Sequence, residues 1–216
     1  MSIFLRLSLL LFCFLLPGCG TYYAVSVDSM NNGNPSGPNC LLVSDTEGVG
    51  EKDATFLELA RLAEPAFHAR GWNLILNRDA AQMLVKMSWW QEEPRTVTET
   101  SYVTHLYPVE VGWGRHRRIE YVYYDEPVIN TYVVYAVNLL FEAKELDKGK
   151  ETGRQLWQTA LRSSGVSDDY RARLFSMAKV LPQVLGSASD GPQRYEVFLG
   201  SDGEITVEHS GPGRLW

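Results

Sequence analysis

From residue 21 onward the period of the apolar positions changes several times, and each change predicts an element. Residues 22–27 alternate towards a short strand, and the next stretch, Asn31-Asn32-Gly33-Asn34-Pro35-Ser36-Gly37-Pro38, is dense in turn residues and reads as a loop. Residues 41–44 predict a second strand, and residues 45–51, with Gly48 and Gly50, the connection onward. After Asp53 the spacing becomes helical: Phe56, Leu59, Ala60, Ala63 and Phe67 fall on one stripe that ends at Gly71. Pro65 lies inside it and predicts a kink or a restart. Residues 72–76 are short and apolar. Met83, Val85, Met87 and Trp89 then alternate against Leu84, Lys86, Ser88 and Trp90, the period-2 pattern of a half-buried strand.

The middle of the chain has strong β character. Residues 95–104 and 119–124 predict a hairpin with residues 108–118 as its irregular tip. Residues 129–143 place Thr131, Val133, Tyr135, Val137, Leu139 and Phe141 on one face. Asp147-Lys148-Gly149-Lys150 turns this strand, and residues 155–163 return through Trp157, Thr159 and Leu161 as a long central hairpin. Ser167 predicts an N-cap, with Asp168 and Asp169 favourable in the first turn of a helix that buries Leu174, Ala178 and Leu181 and ends within residues 182–186. Residues 195–199 and 204–207 form a last hairpin around Gly200-Ser201-Asp202-Gly203, and residues 210–216 read as a frayed tail. The order describes one α+β domain over residues 19–209, a mixed, mainly antiparallel sheet packed by two main helices.

The amino terminus reads differently. In MSIFLRLSLLLFCFLLPGCG the only charge is Arg6, residues 7–16 are apolar except Ser8, and Pro17-Gly18 stops the run well short of the ~20 residues a spanning helix needs. Residues 1–18 therefore read as a secretory signal peptide. Leu16-Pro17-Gly18-Cys19 resembles the lipobox of bacterial lipoproteins, which implies cleavage before Cys19 and its acylation. Several acyl chains matter because one gives only marginal membrane residence. Gly20 follows where inner-membrane-retained lipoproteins often carry Asp, so the same resemblance implies an outer-membrane destination. With Cys13 in the signal and Cys19 acylated, Cys40 stands alone on an apolar strand, and a buried thiol with no intramolecular disulfide is expected.

Charge narrows the classes of function. The chain is 45% hydrophobic with 20 Lys+Arg against 26 Asp+Glu, a net charge of −6, which becomes −7 once the segment carrying Arg6 is removed. Nucleic-acid binding needs a concentrated basic face, which this balance does not supply. One basic cluster exists: Arg115, Arg117 and Arg118 follow Gly112-Trp113-Gly114 at the predicted hairpin tip, where they form a solvated turn or a contact for an anionic headgroup, polysaccharide or partner protein. The four histidines show no ligand spacing. Only His105 and His116, with Asp125 or Glu126, have a route to convergence across the hairpin, and surface or loop positions are the plainer account, so no metal or other cofactor is expected. Ser176-Met177-Ala178-Lys179 has the S-x-x-K spacing of certain serine acyl-transferases but lacks their S-D-N and K-T-G partners. Nucleophile-elbow, zincin, C-x-x-C, P-loop and dinucleotide patterns are missing, so the chain does not read as an enzyme.

With these features together, the chain resembles uncharacterised proteobacterial envelope lipoproteins related to the domain-of-unknown-function 4136 group. The resemblance rests on Cys19, on Tyr23-Ala24-Val25-Ser26-Val27-Asp28-Ser29, on Phe67-His68-Ala69-Arg70-Gly71-Trp72, on the strand at residues 83–89 after Asp79-Ala80-Ala81, on Gln155-Leu156-Trp157 and on Leu185-Gly186. The chain departs from that pattern by a shorter insert between its middle strands. No catalytic residue carries over. The resemblance implies a lipid-anchored, periplasm-facing outer-membrane lipoprotein that acts as a non-enzymatic envelope binding or structural module. The alternative is a periplasmic carrier or sensor of an apolar ligand held between helices and sheet by residues such as Phe67, Trp89 and Tyr135.

Overall fold

Strand-forming sequence dominates the result. The computed structural model describes residues 21–200 and 203–212; the signal-like segment 1–18 and Cys19 lie outside the described residues. In chain order the elements are β1 (Thr21–Asn31), β2 (Asn39–Ser44), α1 (Ala54–Ala69), β3 (Asn73–Leu74), β4 (Met83–Gln91), β5 (Arg95–Val111), β6 (Arg118–Asp147), β7 (Lys150–Gly165), α2 (Tyr170–Val184), β8 (Gln193–Leu199) and β9 (Ile205–Pro212). The main path of the sheet runs β3-β2-β4-β6-β7-β1-β8-β9, and β5 pairs with β6. The sheet is mixed because β2 runs parallel to both β3 and β4, while the other pairings are antiparallel. This is α+β in the broad sense, sheet-rich and unclosed.

Period-2 alternation decides which side of the sheet is dry. Val25 and Val27 of β1, Met83, Val85 and Met87 of β4, Leu139 and Phe141 of β6, Trp157 and Leu161 of β7 and Val197 of β8 share one buried cluster with Phe56, Leu59, Ala63 and Phe67 of α1 and with Leu174, Met177 and Leu181 of α2. The Trp72 and Trp157 rings stack 5.2 Å apart. A smaller cluster of Leu41, Ala81, Leu84 and Leu146 occupies the opposite parity of β2, β4 and β6.

Both helices begin on an aspartate. The Asp53 side chain accepts from the backbone N–H groups of Thr55 and Phe56, and Asp169 accepts from that of Ala172 at 3.0 Å. The expected Ser167 cap is therefore displaced by two residues, and Ser167 Oγ instead accepts from the Asp169 N–H. Pro65 and Pro182 both lie inside continuous helices. Pro65 removes one backbone donor, but Phe67, two residues on, is fully buried against Trp72 and Phe141, and this packing carries the helix through.

Two boundaries differ from the sequence expectation. The segments expected as separate strands at residues 119–124 and 129–143 are parts of the single strand β6, and the hairpin tip shrinks to the residues between Val111 and Arg118. Pro108 and Pro127 did not end their strands because each lies where the β5–β6 pair has no further neighbour, so a missing N–H breaks no sheet ladder. Residues 210–212, expected to be frayed, belong to β9, where Gly211 pairs with Arg194 and Pro212 with Gln193.

Candidate functional site

The β6 strand is the structural origin of the site. Its residues 137–145 pair with β4 on one edge and its residues 135–147 with β7 on the other. Its residues 118–134 pair with β5 alone. Since β4 and β5 both run antiparallel along the same edge of β6, they amount to one strand interrupted at residues 92–94. Past the interruption the molecule is a two-stranded ribbon with exposed residues on both faces.

Residues directly opposite in an antiparallel pair share a face, so the register sorts the ribbon's side chains. One face carries Val97, Glu99, Val103, His105, Tyr107 and Val109 with Glu120, Val122, Tyr124, Glu126 and Val128. Its charges are paired locally: His105 Nε2 lies 3.2 Å from Glu126, and Tyr132 is hydrogen-bonded to Glu99, which holds the phenol above its usual pKa. The other face carries Tyr102, Leu106, Pro108, Ile119, Tyr121, Tyr123, Pro127 and Ile129 with threonines towards the root. Asp125 lies in the middle of that face and accepts from the Thr104 hydroxyl at 2.6 Å. A solvated two-stranded ribbon is marginal on its own, and this one exposes large aromatic side chains on both of its faces.

The tip holds the three sequence-predicted arginines. Trp113 is 93% exposed, and Gly112 and Gly114 take positive φ on either side of it. Arg115 lies in the short turn Gly114–His116, Arg117 lies 3.7 Å from Glu110, and Arg118 pairs with Glu120. The cluster is thus brought together, but two of its three charges are shared with neighbouring carboxylates. His116 belongs to this turn while His105 sits far down the shaft, so the two histidines do not converge. Among the described residues no group of three or more potential metal ligands forms.

The root holds a cluster that sequence reasoning missed. Glu92, in the interruption, accepts from Arg162 Nε at 2.7 Å and Nη2 at 3.0 Å and from Asn138 Nδ2 at 3.0 Å, and Arg95 Nη2 reaches it at 3.3 Å. The hydrogen bonds from Arg162 are the main cause of a carboxyl pKa pulled down to about 2, against the partial burial that opposes it. One carboxylate thereby ties β5, β6 and β7 together where the ribbon leaves the sheet. Trp90, half exposed, lines a cleft of about 290 Å³ beside this clamp. The available signal was Glu92-Glu93-Pro94, a charged break between two β-rich segments; it does not name Arg162 as the partner.

Elsewhere the candidate groups are structural. Ser176 is fully buried and its hydroxyl donates to the Arg173 carbonyl at 2.8 Å, while Lys179 Nζ lies 4.6 Å from the Phe175 ring, so the S-x-x-K spacing assembles no nucleophile and base. Cys40 is buried on β2, and desolvation pushes its thiol up to about 12. Ser29, Thr159, Ser187 and Ser189 converge near the end of α2, where Ser187 Oγ donates to the Val184 carbonyl at 2.7 Å and Ser29 and Thr159 hydroxyls are 2.9 Å apart, which satisfies a helix terminus. Phe67 and Trp89 are packed into the continuous core. An open apolar groove of about 450 Å³ lies instead at the β2–α1 edge, lined by Leu42, Phe56, Leu57, Leu74 and Leu76 among others.

Fold and site together define an α+β domain on one open mixed sheet with a β-ribbon extension. No family model and no curated protein matches the chain. Among solved structures, the chain is similar to a PDZ domain protein from Parabacteroides distasonis ATCC 8503, at 11% identity and a TM-score of 0.39. That likeness covers 89% of this chain and 42% of the other, so this chain spans less than half the length of that protein.

Proposed function

We propose that the protein is a lipid-anchored outer-membrane lipoprotein whose domain faces the periplasm and serves as a non-enzymatic envelope binding or structural module. The observation that carries the binding role is the ribbon: its shaft and tip hold most of the large hydrophobic residues exposed among the described residues, and Arg115, Arg117 and Arg118 lie together at its end. In this reading the helices serve to cover one side of the sheet, and the tip residues Arg115, Arg117 and Arg118 meet an anionic envelope protein or polysaccharide. The anchor is supported by Leu16-Pro17-Gly18-Cys19 in the sequence.

Intact mass and membrane fractionation of the wild type beside Cys19→Ala, made in a Gram-negative host, test the anchor. Acyl mass and outer-membrane association in the wild type alone are expected; an unmodified, freely soluble wild type overturns it. Charge reversal at all three tip arginines is expected to abolish capture of the envelope partner, and unchanged capture removes the tip from the proposal.

The apolar groove at the β2–α1 edge favours the second reading, a carrier of an apolar ligand. That reading expects a lipid to co-purify with the wild type and to be lost when Leu57 and Leu74 are replaced by polar residues.

A further inference from the structure

We infer that the apolar face of the ribbon is covered by the same face of a second copy of this chain, the two ribbons overlying each other antiparallel about a two-fold axis near Leu106 and Tyr123. This deepens the structural-module reading and does not depend on the anchor.

Area is the first argument. Tyr102, Leu106, Ile119, Tyr121, Tyr123 and Ile129 share that face and are each between 51% and 76% exposed. With aromatic side chains burying roughly 150–250 Å² apiece and aliphatic ones somewhat less, their exposed parts amount to on the order of 800 Å², about what each partner of a standard-sized interface contributes. The face also carries no arginine or lysine, and of its two carboxylates Glu110 is shared with Arg117, so it can meet an identical face without like cations opposing.

Charge chooses both the orientation and the occupant. Basic residues concentrate at the tip, at Arg115, Arg117 and Arg118, with Glu110 and Glu120 beside the last two; on the shaft Asp125 lies on the overlaid face, and Glu99 and Glu126 lie on the opposite one. A parallel overlay sets tip against tip. The antiparallel overlay brings the level of the Val111–Arg118 pair to that of Ser101–Val128 in the other copy, which carries no charge, so the two cationic tips are kept apart. A bilayer fits less well. Asp125 lies in the middle of the overlaid face and would have to enter the hydrocarbon, where a lone carboxylate is costly.

The two Asp125 carboxylates lie close to the axis in this arrangement, so the dimer forms despite them. That supplies a variant whose expected effect is a gain, which misfolding cannot imitate. Full-length protein in mild detergent is measured by sedimentation velocity over micromolar concentrations. The wild type is expected to dimerise reversibly, Leu106→Asn/Tyr123→Ser to associate about a hundredfold more weakly, and Asp125→Asn to associate several-fold more tightly. In a separate chain carrying Tyr123→Cys, mild oxidation is expected to give a covalent dimer that the wild type does not form. A wild type monomeric throughout, a dimer indifferent to both sets of substitutions, or ribbon-dependent flotation of the monomer with phosphatidylethanolamine–phosphatidylglycerol vesicles overturns the inference. The mass of Cys19, read on the same sample, reports the anchor separately, so failure of either proposal is recognised by itself.

Discussion

Gly186 shows how closely single residues are constrained where α2 meets the sheet. Its φ is +64°, and a Cβ there would approach Trp72 Cη2 to 2.5 Å. Its N–H donates to Thr159 Oγ1 at 3.1 Å and its carbonyl accepts from Asn31 Nδ2 at 2.6 Å, so the backbone has little room to shift. Gly186→Ala is expected to destabilise the fold by roughly 2–4 kcal/mol, combining left-handed strain with overpacking. Urea unfolding followed by tryptophan fluorescence measures this, and a midpoint equal to that of the wild type would refute the steric account. Cys40 gives a chemical counterpart. A buried thiol with its pKa near 12 carries almost no thiolate at neutral pH, so Cys40 is expected to resist iodoacetamide in the folded protein and to react fully in denaturant. Native labelling as fast as that of a free thiol would contradict its burial. Both residues differ in how far the sequence foretold them. The apolar run around Cys40 made burial legible, because strand burial follows from local hydrophobicity. The demand on Gly186 comes from Trp72 and Thr159, far away in sequence, and no local pattern carries it.

At the scale of elements, the ribbon depends on how its root is fixed. Glu92 joins three strands through Arg162, Asn138 and Arg95, and its folded pKa of about 2 lies below the ordinary value of 4.5. A depressed carboxyl pKa contributes stability that is fully present above the ordinary value and is lost as pH falls from about 4.5 towards about 2. Glu92→Gln is therefore expected to cost roughly 2 kcal/mol at neutral pH, the scale of hydrogen bonds to a charged group, and progressively less on acidification. Thermal unfolding of both proteins from neutral pH down to acid tests the sign: a gap that widens on acidification would be incompatible with the clamp. Periodicity made β4, α1, α2 and the final hairpin legible, since each buries one face and so displays a period. It failed at β6, where residues 119–124 carry apolar side chains on both parities and Pro127 stands mid-strand. A ribbon solvated on both sides has no dry face to impose alternation and no second neighbour to forbid proline.

For the whole molecule the division is between a packed body and an element that shares none of its core. No residue between Trp89 and Val137 belongs to the main buried cluster, although β6 runs unbroken through both regions. The body should therefore fold without the ribbon. Arg95 and Val134 are cross-strand partners, so residues 96–133 can be replaced by a two-residue Asn-Gly turn that closes the hairpin at its root. The Glu92 clamp, the stacked Trp72–Trp157 pair and the full pairing of β4, β6 and β7 all remain. The shortened protein, which lacks the exposed Trp113, is expected to keep the emission of the buried Trp72, Trp89 and Trp157. Its urea slope should also be nearly unchanged when compared at concentrations low enough for both to be monomeric. The slope follows the surface exposed on unfolding, and a ribbon already solvated on both faces adds little to it. A slope reduced in proportion to the chain removed, or loss of the native fluorescence, would mean that the ribbon folds as part of the body. Cooperative folding of body and ribbon would leave contact with a partner free to propagate into the sheet. If the body folds alone, the ribbon acts as a projecting arm whose contacts can change without disturbing the domain that carries it.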